Sequence, residues 1–464
     1  MYCLQSRWKL ERNALVYYGL RNRENLFRNR VRLRGRQREI LARLPADLNE
    51  AEQHVLRPLL GEQVVEEQAV RPVPRSFSEA RFCRCCAAND FMIPGLEFDE
   101  TGLCPLCQTA DRAASLKSVL PLVREIPHAK QSRFDVAVFY TGGKDSAFLL
   151  YQLAKVRGLR VLALTWEIPY QSDNARQSIE NAKRCFDTVE FISRRVSAAD
   201  LRRFYETLYR LAGNTCACPS LAYLLFFPEL VANRVPYFVA GNEPVQMLGL
   251  YYNHMAPRLA YSFADNRPLA LLYNLGRLLT LHPPLKRGQL QTLVTMRQLA
   301  GGNRIARLTP YRNELVGNVV EAIRSVPEFL PPLKRTLRYA SRTGQIPAFV
   351  HLDFNELCGG NYDWNRVRDT LTAECGWVPP ADGEKSLHTS CRIERCKDYS
   401  QFRRFRDCES RTIPFSALEI ALASRQHCRP REELIRELET SLGFLAEEPP
   451  ECEWMHRCLR GELL

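Results

Sequence analysis

One loop near the middle of the chain combines the residue types that bind phosphate. An apolar, strand-like run over residues 134–140 leads into it, and a helical pattern follows it. The loop consists of Thr141, Gly142, Gly143, Lys144, Asp145 and Ser146. Glycines let the backbone approach an anion, and the free amides at a helix start point toward it. The loop therefore predicts a polyphosphate site, although it matches neither the Walker pattern nor the dinucleotide pattern G-x-G-x-x-G.

A second group of residues has the spacing of metal ligands. Two Cys-x-x-Cys pairs, Cys83 with Cys86 and Cys104 with Cys107, are separated by 17 residues. That separation is typical of a four-thiolate zinc site, in which each pair forms one knuckle. The pattern predicts structural Zn²⁺ with no open coordination position. Cys85 lies inside the first pair and offers an alternative ligand.

The elements around the loop predict an α/β domain over residues 130–245. Four apolar runs, at residues 136–140, 160–166, 189–192 and 237–240, alternate with helix-period segments, which is typical of a parallel sheet. Ligands of such sheets bind at the carboxyl ends of the strands. We therefore expect three strand-end residues, Thr165, Trp166 and Gly241, to lie beside a nucleotide.

The rest of the chain divides into three further segments by composition. Two helical patterns and a hairpin-like run after Gly61 predict a small winged-helix-like module, suited to binding a peptide or nucleic acid or to plain packing. A helical connector is expected over residues 111–125, and a mainly helical, basic region lies beyond the sheet domain. The expected boundaries are 1–78 for the module, 79–112 for the zinc ribbon and 246–464 for the basic region, with an amphipathic helix near residues 430–442.

The phosphate loop resembles the S-G-G-x-D-S signature of the PP-loop ATP pyrophosphatases, the adenine nucleotide alpha hydrolases, with Thr141 where serine is usual. The resemblance implies a HUP-like parallel-sheet fold and cleavage of ATP to AMP and pyrophosphate. It implies that the loop holds the β and γ phosphates and that Thr141 and Ser146 donate hydrogen bonds. Lys144 would neutralise the departing charge, and Asp145 would orient the loop or help to hold Mg²⁺.

The cysteine segment and the loop together resemble the N-acetyl sugar amidotransferase family, in which a zinc ribbon ending F-D-x-x-G-x-C-x-x-C precedes the PP-loop domain. Phe98, Asp99, Gly102, Cys104 and Cys107 occupy those positions here. Weaker similarities lie at NYDW around Trp364, ECGW around Trp377 and HTSC around His388 and Cys391. The family implies that ATP adenylates a carbonyl oxygen of an acceptor and that ammonia, usually from a separate glutaminase, displaces AMP.

Sulfur transfer is the alternative, because a persulfide or a cluster-bound sulfide can attack the same adenylate. Cys216 and Cys218 fall in a loop-like stretch between the third and fourth strands and are candidates for a sulfur or iron–sulfur site, or else for inert packing. His388, Cys391 and Cys396 are close enough in sequence to share a metal. A degenerate protein that binds nucleotide or peptide without turnover is the third alternative.

Charge and hydropathy limit the partners. Residues 251–345 carry 14 Lys and Arg against 4 Asp and Glu, which favours an anionic partner such as tRNA, a nucleotide or an acidic peptide. The acceptor could thus be a sugar, a peptide or tRNA. With no export signal, no membrane-length apolar run and an odd cysteine count of 17, the sequence predicts a cytoplasmic protein with reduced thiols and no membrane partner.

Overall fold

The computed structural model describes most of the chain, in two compact units. The described residues are 1–21, 29–61, 63–108, 117–213, 217–256, 260–263, 266–305, 313–383 and 385–462. The first unit comprises Met1–Ala114 and Gln401–Arg425, and the second comprises Ser115–Ser400 and Gln426–Leu464. Residues Gln401–Arg425 thus belong to the first unit, although the chain before and after them belongs to the second. The four consecutive domains expected from sequence did not predict this return of the chain.

The secondary structure is mixed α/β. The strands are β1 Cys3–Leu4, β2 Trp8–Glu11, β3 Ala14–Tyr17, β4 Arg30–Arg32, β5 Val65–Glu66, β6 Val136–Phe139, β7 Val161–Glu167, β8 Glu190–Arg195, β9 Tyr237–Ala240 and β10 Ala348–Phe349. The helices are α1 Gly35–Leu41, α2 Glu50–Leu56, α3 Pro105–Gln108, α4 Lys144–Tyr151, α5 Asp173–Cys185, α6 Ala198–Ala212, α7 Cys218–Ala232, α8 Pro244–Tyr252, α9 Ala260–Phe263, α10 Arg267–Leu279, α11 Gln289–Gly301, α12 Glu314–Arg324, α13 Leu330–Thr343, α14 Phe354–Leu357, α15 Trp364–Cys375, α16 Glu394–Arg406, α17 Phe415–Arg425, α18 Arg431–Thr440 and α19 Pro450–Arg460.

The N-terminal part of the first unit contains the two small helices expected from sequence, and a single backbone bridge where the hairpin was expected. Helix α2 begins with a capping box in which the Asn49 side chain accepts from the Glu52 amide at 2.9 Å. Strands β2, β3 and β4 form an antiparallel sheet, whereas β5 pairs with β1. Among the described residues, the expected hairpin after Gly61 is reduced to an isolated antiparallel bridge in which the Gly61 amide donates to the Val65 carbonyl at 2.8 Å. Val65 and Glu66 take their strand partner from the chain start.

A five-stranded parallel sheet forms the centre of the second unit, in the order β10-β9-β6-β7-β8. The four expected strands are present, and the sequence missed β10 because two residues give no periodicity. Strands β7 and β8 follow β6 on one side, and β9 and β10 lie on its other side. The direction of winding thus reverses at β6, and ligands of open α/β sheets bind at such a point, beyond the carboxyl ends of the strands.

The core of the second unit packs helices against this sheet. All four residues of β6 are buried, as are the apolar residues of α6 and α7 that cover the sheet. Residues 117–125 of the expected connector are not helical, and residues 109–116 lie outside the described part. Within the described part of the chain, no helix has the length and apolar character needed to cross a membrane.

Candidate active site

The phosphate loop lies between β6 and α4, where the sheet changes its direction of winding. Gly142 has a φ of +76°, and a Cβ there would be 2.3 Å from the Ala175 carbonyl oxygen on α5. No side chain fits this position, because both the backbone conformation and the contact exclude it. The close approach of α5 therefore dictates glycine at this point of the loop.

The hydroxyl groups of the loop hold it in a closed turn. Thr141 Oγ1 and Ser146 Oγ are 3.1 Å apart, and the Gly143 amide donates to Thr141 Oγ1 at 3.4 Å. Ser146 Oγ in turn donates to the Gly143 carbonyl at 3.0 Å. The two hydroxyls that the sequence predicts as phosphate donors thus lie side by side at the start of α4.

Lys144 has surroundings that the sequence did not predict. Its side chain is 1% exposed, and its ammonium group contacts the carboxylates of Asp145 at 2.5 Å and Glu243 at 3.4 Å. The rings of Tyr362 and Trp364 lie 4.6 and 4.8 Å from Nζ, and the Tyr362 hydroxyl lies at 3.2 Å. Burial opposes the charge, but the two carboxylates outweigh it and raise the pKa of Lys144. The ammonium is therefore charged, paired and enclosed.

Glu243 and Asp145 complete this cage. Glu243 follows β9, is fully buried and accepts the Trp364 indole hydrogen at 2.6 Å. Asp145 accepts the Tyr362 hydroxyl at 2.8 Å. Burial first, and then the Asp145 and Glu243 charges, raise the pKa of Tyr362 well above its ordinary value, so it remains a neutral donor. We call these five residues, Lys144, Asp145, Glu243, Tyr362 and Trp364, the lysine cage.

Trp377, Thr389 and Ser390 contact the phosphate loop from another direction. The Lys144 amide donates to Thr389 Oγ1 at 3.2 Å, and the Trp377 indole donates to the Gly142 carbonyl at 3.2 Å. A Cβ on Gly143 would be 3.3 Å from the Ser390 side chain. The Lys144 amide, which the sequence predicts to bind phosphate, thus donates to the hydroxyl of a residue 245 positions further along the chain.

The strand-end residues have different surroundings. A Cβ on Gly241 would be 2.7 Å from the Ser146 amide nitrogen, so the turn after β9 packs directly against the start of α4. Thr165 donates its hydroxyl to the Tyr140 carbonyl at 3.1 Å and is buried, so that hydroxyl joins β7 to the end of β6. The Trp166 indole nitrogen is buried without a hydrogen-bond partner among the described residues. That donor is available to a ligand.

Among the described residues, the cysteines that the sequence singled out in the second unit form no metal site. Cys216 lies outside the described residues, and Cys218 is the half-exposed first residue of α7. Within the described part, His388, Cys391 and Cys396 form no group close enough for one ion. Cys396 instead hydrogen-bonds with the Cys452 thiol. The shared metal expected of these three residues is therefore wrong for the described chain.

In the first unit, the four predicted cysteines come together. Cys83, Cys86, Cys104 and Cys107 are all buried, and their sulfurs lie within 4.8 Å of one another. The distances from Cys83 to Cys107 and from Cys86 to Cys104 are 3.7 and 3.6 Å. A tetrahedral ion with sulfurs at its usual bond length separates them by about 3.8 Å. The spacing therefore fits one tetrahedral ion. Cys85 is exposed and outside the group.

Backbone amides support the sulfurs of this group. Cys83 Sγ accepts from the amides of Cys85 at 3.4 Å and Cys104 at 3.3 Å, and Cys86 Sγ accepts from Ala88 at 3.4 Å. Hydrogen bonding with the thiols of Cys104 and Cys107 lowers the pKa of Cys83. Such amide donors stabilise thiolate charge, the form of cysteine that binds a metal.

Comparisons with known proteins add little to this geometry. No family model and no curated protein matches the sequence. Among solved structures, the chain has a likeness to the U34-tRNA thiolase NcsA from Methanococcus maripaludis with its [4Fe-4S] cluster, at 13% identity and a TM-score of 0.21, over 56% of this chain and 87% of that one. At that TM-score, the likeness carries no conclusion about this chain.

Proposed function

We propose that the chain cleaves ATP to AMP and pyrophosphate while it adenylates a carbonyl oxygen of an acceptor. The observation that carries this proposal is the convergence on the phosphate loop of residues from three C-terminal motifs. Tyr362 and Trp364 of NYDW, Trp377 of ECGW and Thr389 of HTSC all contact the loop or its cage. The amidotransferase resemblance points to the same three motifs.

The loop has groups to hold a polyphosphate. The hydroxyls of Thr141 and Ser146 and the amides at the start of α4 are the donors, and Thr389 would exchange its hydrogen bond with the Lys144 amide for one to the ligand. Asp145 would help to hold Mg²⁺. The buried Trp166 indole offers a donor at the end of β7, the edge where the base is expected.

In this proposal Lys144 fixes the position of Asp145 and does not bind phosphate. Its ammonium is balanced by two carboxylates and enclosed by two rings, so its charge is already neutralised. A clamp for the departing pyrophosphate would need an accessible charge. The role implied by the resemblance is therefore replaced by a positioning role.

For the incoming atom we propose nitrogen, which the resemblance implies. Burial raises the pKa of Cys358 to about 11 and that of Cys428 above its ordinary range, and both thiols interact with the Lys144 charge. At neutral pH such thiols are protonated and poor nucleophiles. The described thiols nearest the cage thus offer no reactive sulfur, and ammonia would come from solution or from a separate glutaminase.

Sulfur transfer remains the second candidate, on one observation. Cys218 is half-exposed at the first position of α7, where its sulfur is accessible to a donor. A sulfur donor protein would then be required to load it.

For the four-cysteine group we propose structural Zn²⁺. The sulfur spacing supports a single ion, because a four-iron cluster binds each thiolate at a different iron and separates them further. Four protein ligands leave the ion no open position, so its contribution is to folding. Metal analysis of the purified chain tests this, and iron with acid-labile sulfide instead of zinc would contradict it.

Product analysis tests the proposed reaction. We would incubate the chain with ATP labelled at the α phosphate, Mg²⁺ and ammonium, adding in turn a UDP-N-acetyl sugar, bulk tRNA and an acidic peptide. We expect labelled AMP with one acceptor and a loss of about 100-fold in Ser146→Ala, with Ser132→Ala as the matched control. Labelled ADP would refute the proposal. Mass spectrometry of the acceptor separates exchange of oxygen for nitrogen from exchange of oxygen for sulfur.

A further inference from the structure

Helix α10 presents leucines to the surface of the second unit. Six of them are between 54% and 94% exposed: Leu271, Leu272, Leu275, Leu278, Leu279 and Leu281. From residue 268 to residue 281 the exposed positions of this helix and its end carry no charge. An apolar surface of this extent is typical of a binding site. We call these six residues the leucine face.

The orientation of α10 is fixed by two of its polar residues, Arg277 and Asn274. Arg277 is 5% exposed, and its guanidinium donates to the carbonyls of Pro283 at 2.7 Å and Ser341 at 2.8 Å. The Asn274 side chain exchanges hydrogen bonds with the backbone of Leu285 at 2.8 and 3.0 Å. Rotating the helix to bury the leucines would break all four bonds, so the leucine face is its stable outer surface.

The surroundings of the leucine face are positively charged. Residues 266–305 and 330–345, which contain α10, α11 and α13, include ten Lys or Arg and no Asp or Glu. An anionic partner is favoured by this field, while a second copy of the same basic chain is repelled by it. A partner that binds the leucine face should therefore combine an apolar surface with negative charge.

A cavity beside the leucine face distinguishes between anionic partners. It measures about 410 Å³, and its lining includes Leu272 and Gly276 of α10 together with Arg277 and Arg297. None of its lining residues is acidic. A concave site of this size, lined by two arginines, accepts a carboxylate side chain that projects from a folded ridge. A flat lipid surface does not project into it.

We propose that the leucine face and this cavity bind an amphipathic, acidic helical segment of a partner protein. Its apolar ridge would cover the leucines, in the manner of a helix laid along a hydrophobic surface. A carboxylate of the segment would enter the cavity and pair with Arg297, which is exposed, whereas Arg277 stays bonded to Pro283 and Ser341. This surface is separate in sequence from the phosphate loop, so the proposal does not depend on the reaction proposed above.

Binding of defined peptides tests the proposal. The probes are a fluorescein-labelled 16-residue peptide with leucines on one helical face and glutamates elsewhere, a scrambled peptide of the same composition, and a leucine–lysine version. The variants of the full chain are Leu275→Glu with Leu279→Glu for the face and Arg297→Glu for the cavity. Val156→Glu is the matched control, since Val156 is 56% exposed on another element.

We expect the leucine–glutamate helix to bind, and each of the face and cavity variants to weaken it by about tenfold or more. The control variant and the melting temperature should be unchanged. Equal binding of the scrambled peptide would overturn the proposal, as would absence of binding. Preference for phosphatidylglycerol vesicles, or a wild-type dimer that the leucine variant converts to a monomer, would overturn it in favour of a lipid surface or a second copy.

Discussion

The four-cysteine group and the phosphate loop differ in how far apart in the sequence their contributing residues lie. The cysteine group takes all its ligands, and the amides that support them, from residues 83–107. The phosphate loop depends on side chains as distant as Thr389, 245 residues away from Lys144. A site that closes within a short segment can be read from spacing, whereas one that closes across the chain cannot. The following predictions test this difference, from the largest expected effect to the smallest.

Loss of a cysteine ligand should have the largest effect. We expect Cys83→Ser to release the metal and unfold the surrounding segment, because a structural zinc site contributes about 10 kcal/mol or more to folding. Metal analysis and thermal unfolding measure this. Cys85→Ser is the matched control, since Cys85 is exposed and should leave both unchanged. If Cys85→Ser releases the metal, the ligand set is wrong.

Removal of the Lys144 charge should destabilise the second unit strongly. Lys144→Met leaves Glu243 buried opposite no cation and should cost about 3–5 kcal/mol of unfolding free energy. Lys183→Met is the control, because the exposed Lys183–Glu180 pair should change it by less than about 1 kcal/mol. Urea unfolding compares the two. If both variants lose the same small amount of unfolding free energy, the lysine cage does not stabilise the second unit.

A side chain at Gly142 should affect activity more than overall folding. We expect Gly142→Ala to lower AMP formation by about 100-fold, equivalent to about 2.7 kcal/mol in the barrier, because the new methyl group displaces the loop from α5. Gly383→Ala, where an added Cβ meets nothing within 4 Å, is the matched control. If Gly142→Ala forms AMP as fast as the wild type, the phosphate loop is not part of the active site.

A smaller effect is expected from His351, a buried residue that sequence patterns did not single out. It follows β10, and its Nε2 lies 2.9 Å from the Asn242 carbonyl, one residue before Glu243. Burial lowers its pKa from 6.5 to about 4. Its contribution to stability is therefore complete above pH 6.5 and is lost as the pH falls toward 4, since the unfolded chain takes up the proton first.

Comparison of stability at two pH values tests this. Between pH 7.5 and pH 5, His351 should account for about 2 kcal/mol of lost unfolding free energy. His351→Gln keeps a donor for Asn242 and should remove that part of the pH dependence. An identical loss in wild type and variant would assign the effect to other groups.

Much of the fold could be predicted because it is encoded locally. Strong periodic or capping signals are present in the four expected strands of the sheet, in α2 with its Asn49 cap and in α18, Arg431–Thr440. Strand β10 and the pairing of β5 with β1 had none, since two-residue strands are defined only by their partners. For the candidate site, the family resemblance pointed to motifs around Trp364, Trp377 and His388, but it did not predict their contacts with the phosphate loop.

The sequence by itself determined which residues are available for chemistry: a glycine-containing phosphate loop after a buried strand, and two cysteine pairs at metal-ligand spacing. These depend on neighbours in the chain, and local backbone geometry is sufficient to arrange them. Only the tertiary structure decided that Lys144 lies in a cage and that Thr389 meets its amide. It also decided that the leucines of α10 face outward. Each of these results depends on desolvation and pairing between distant segments, which no local pattern records.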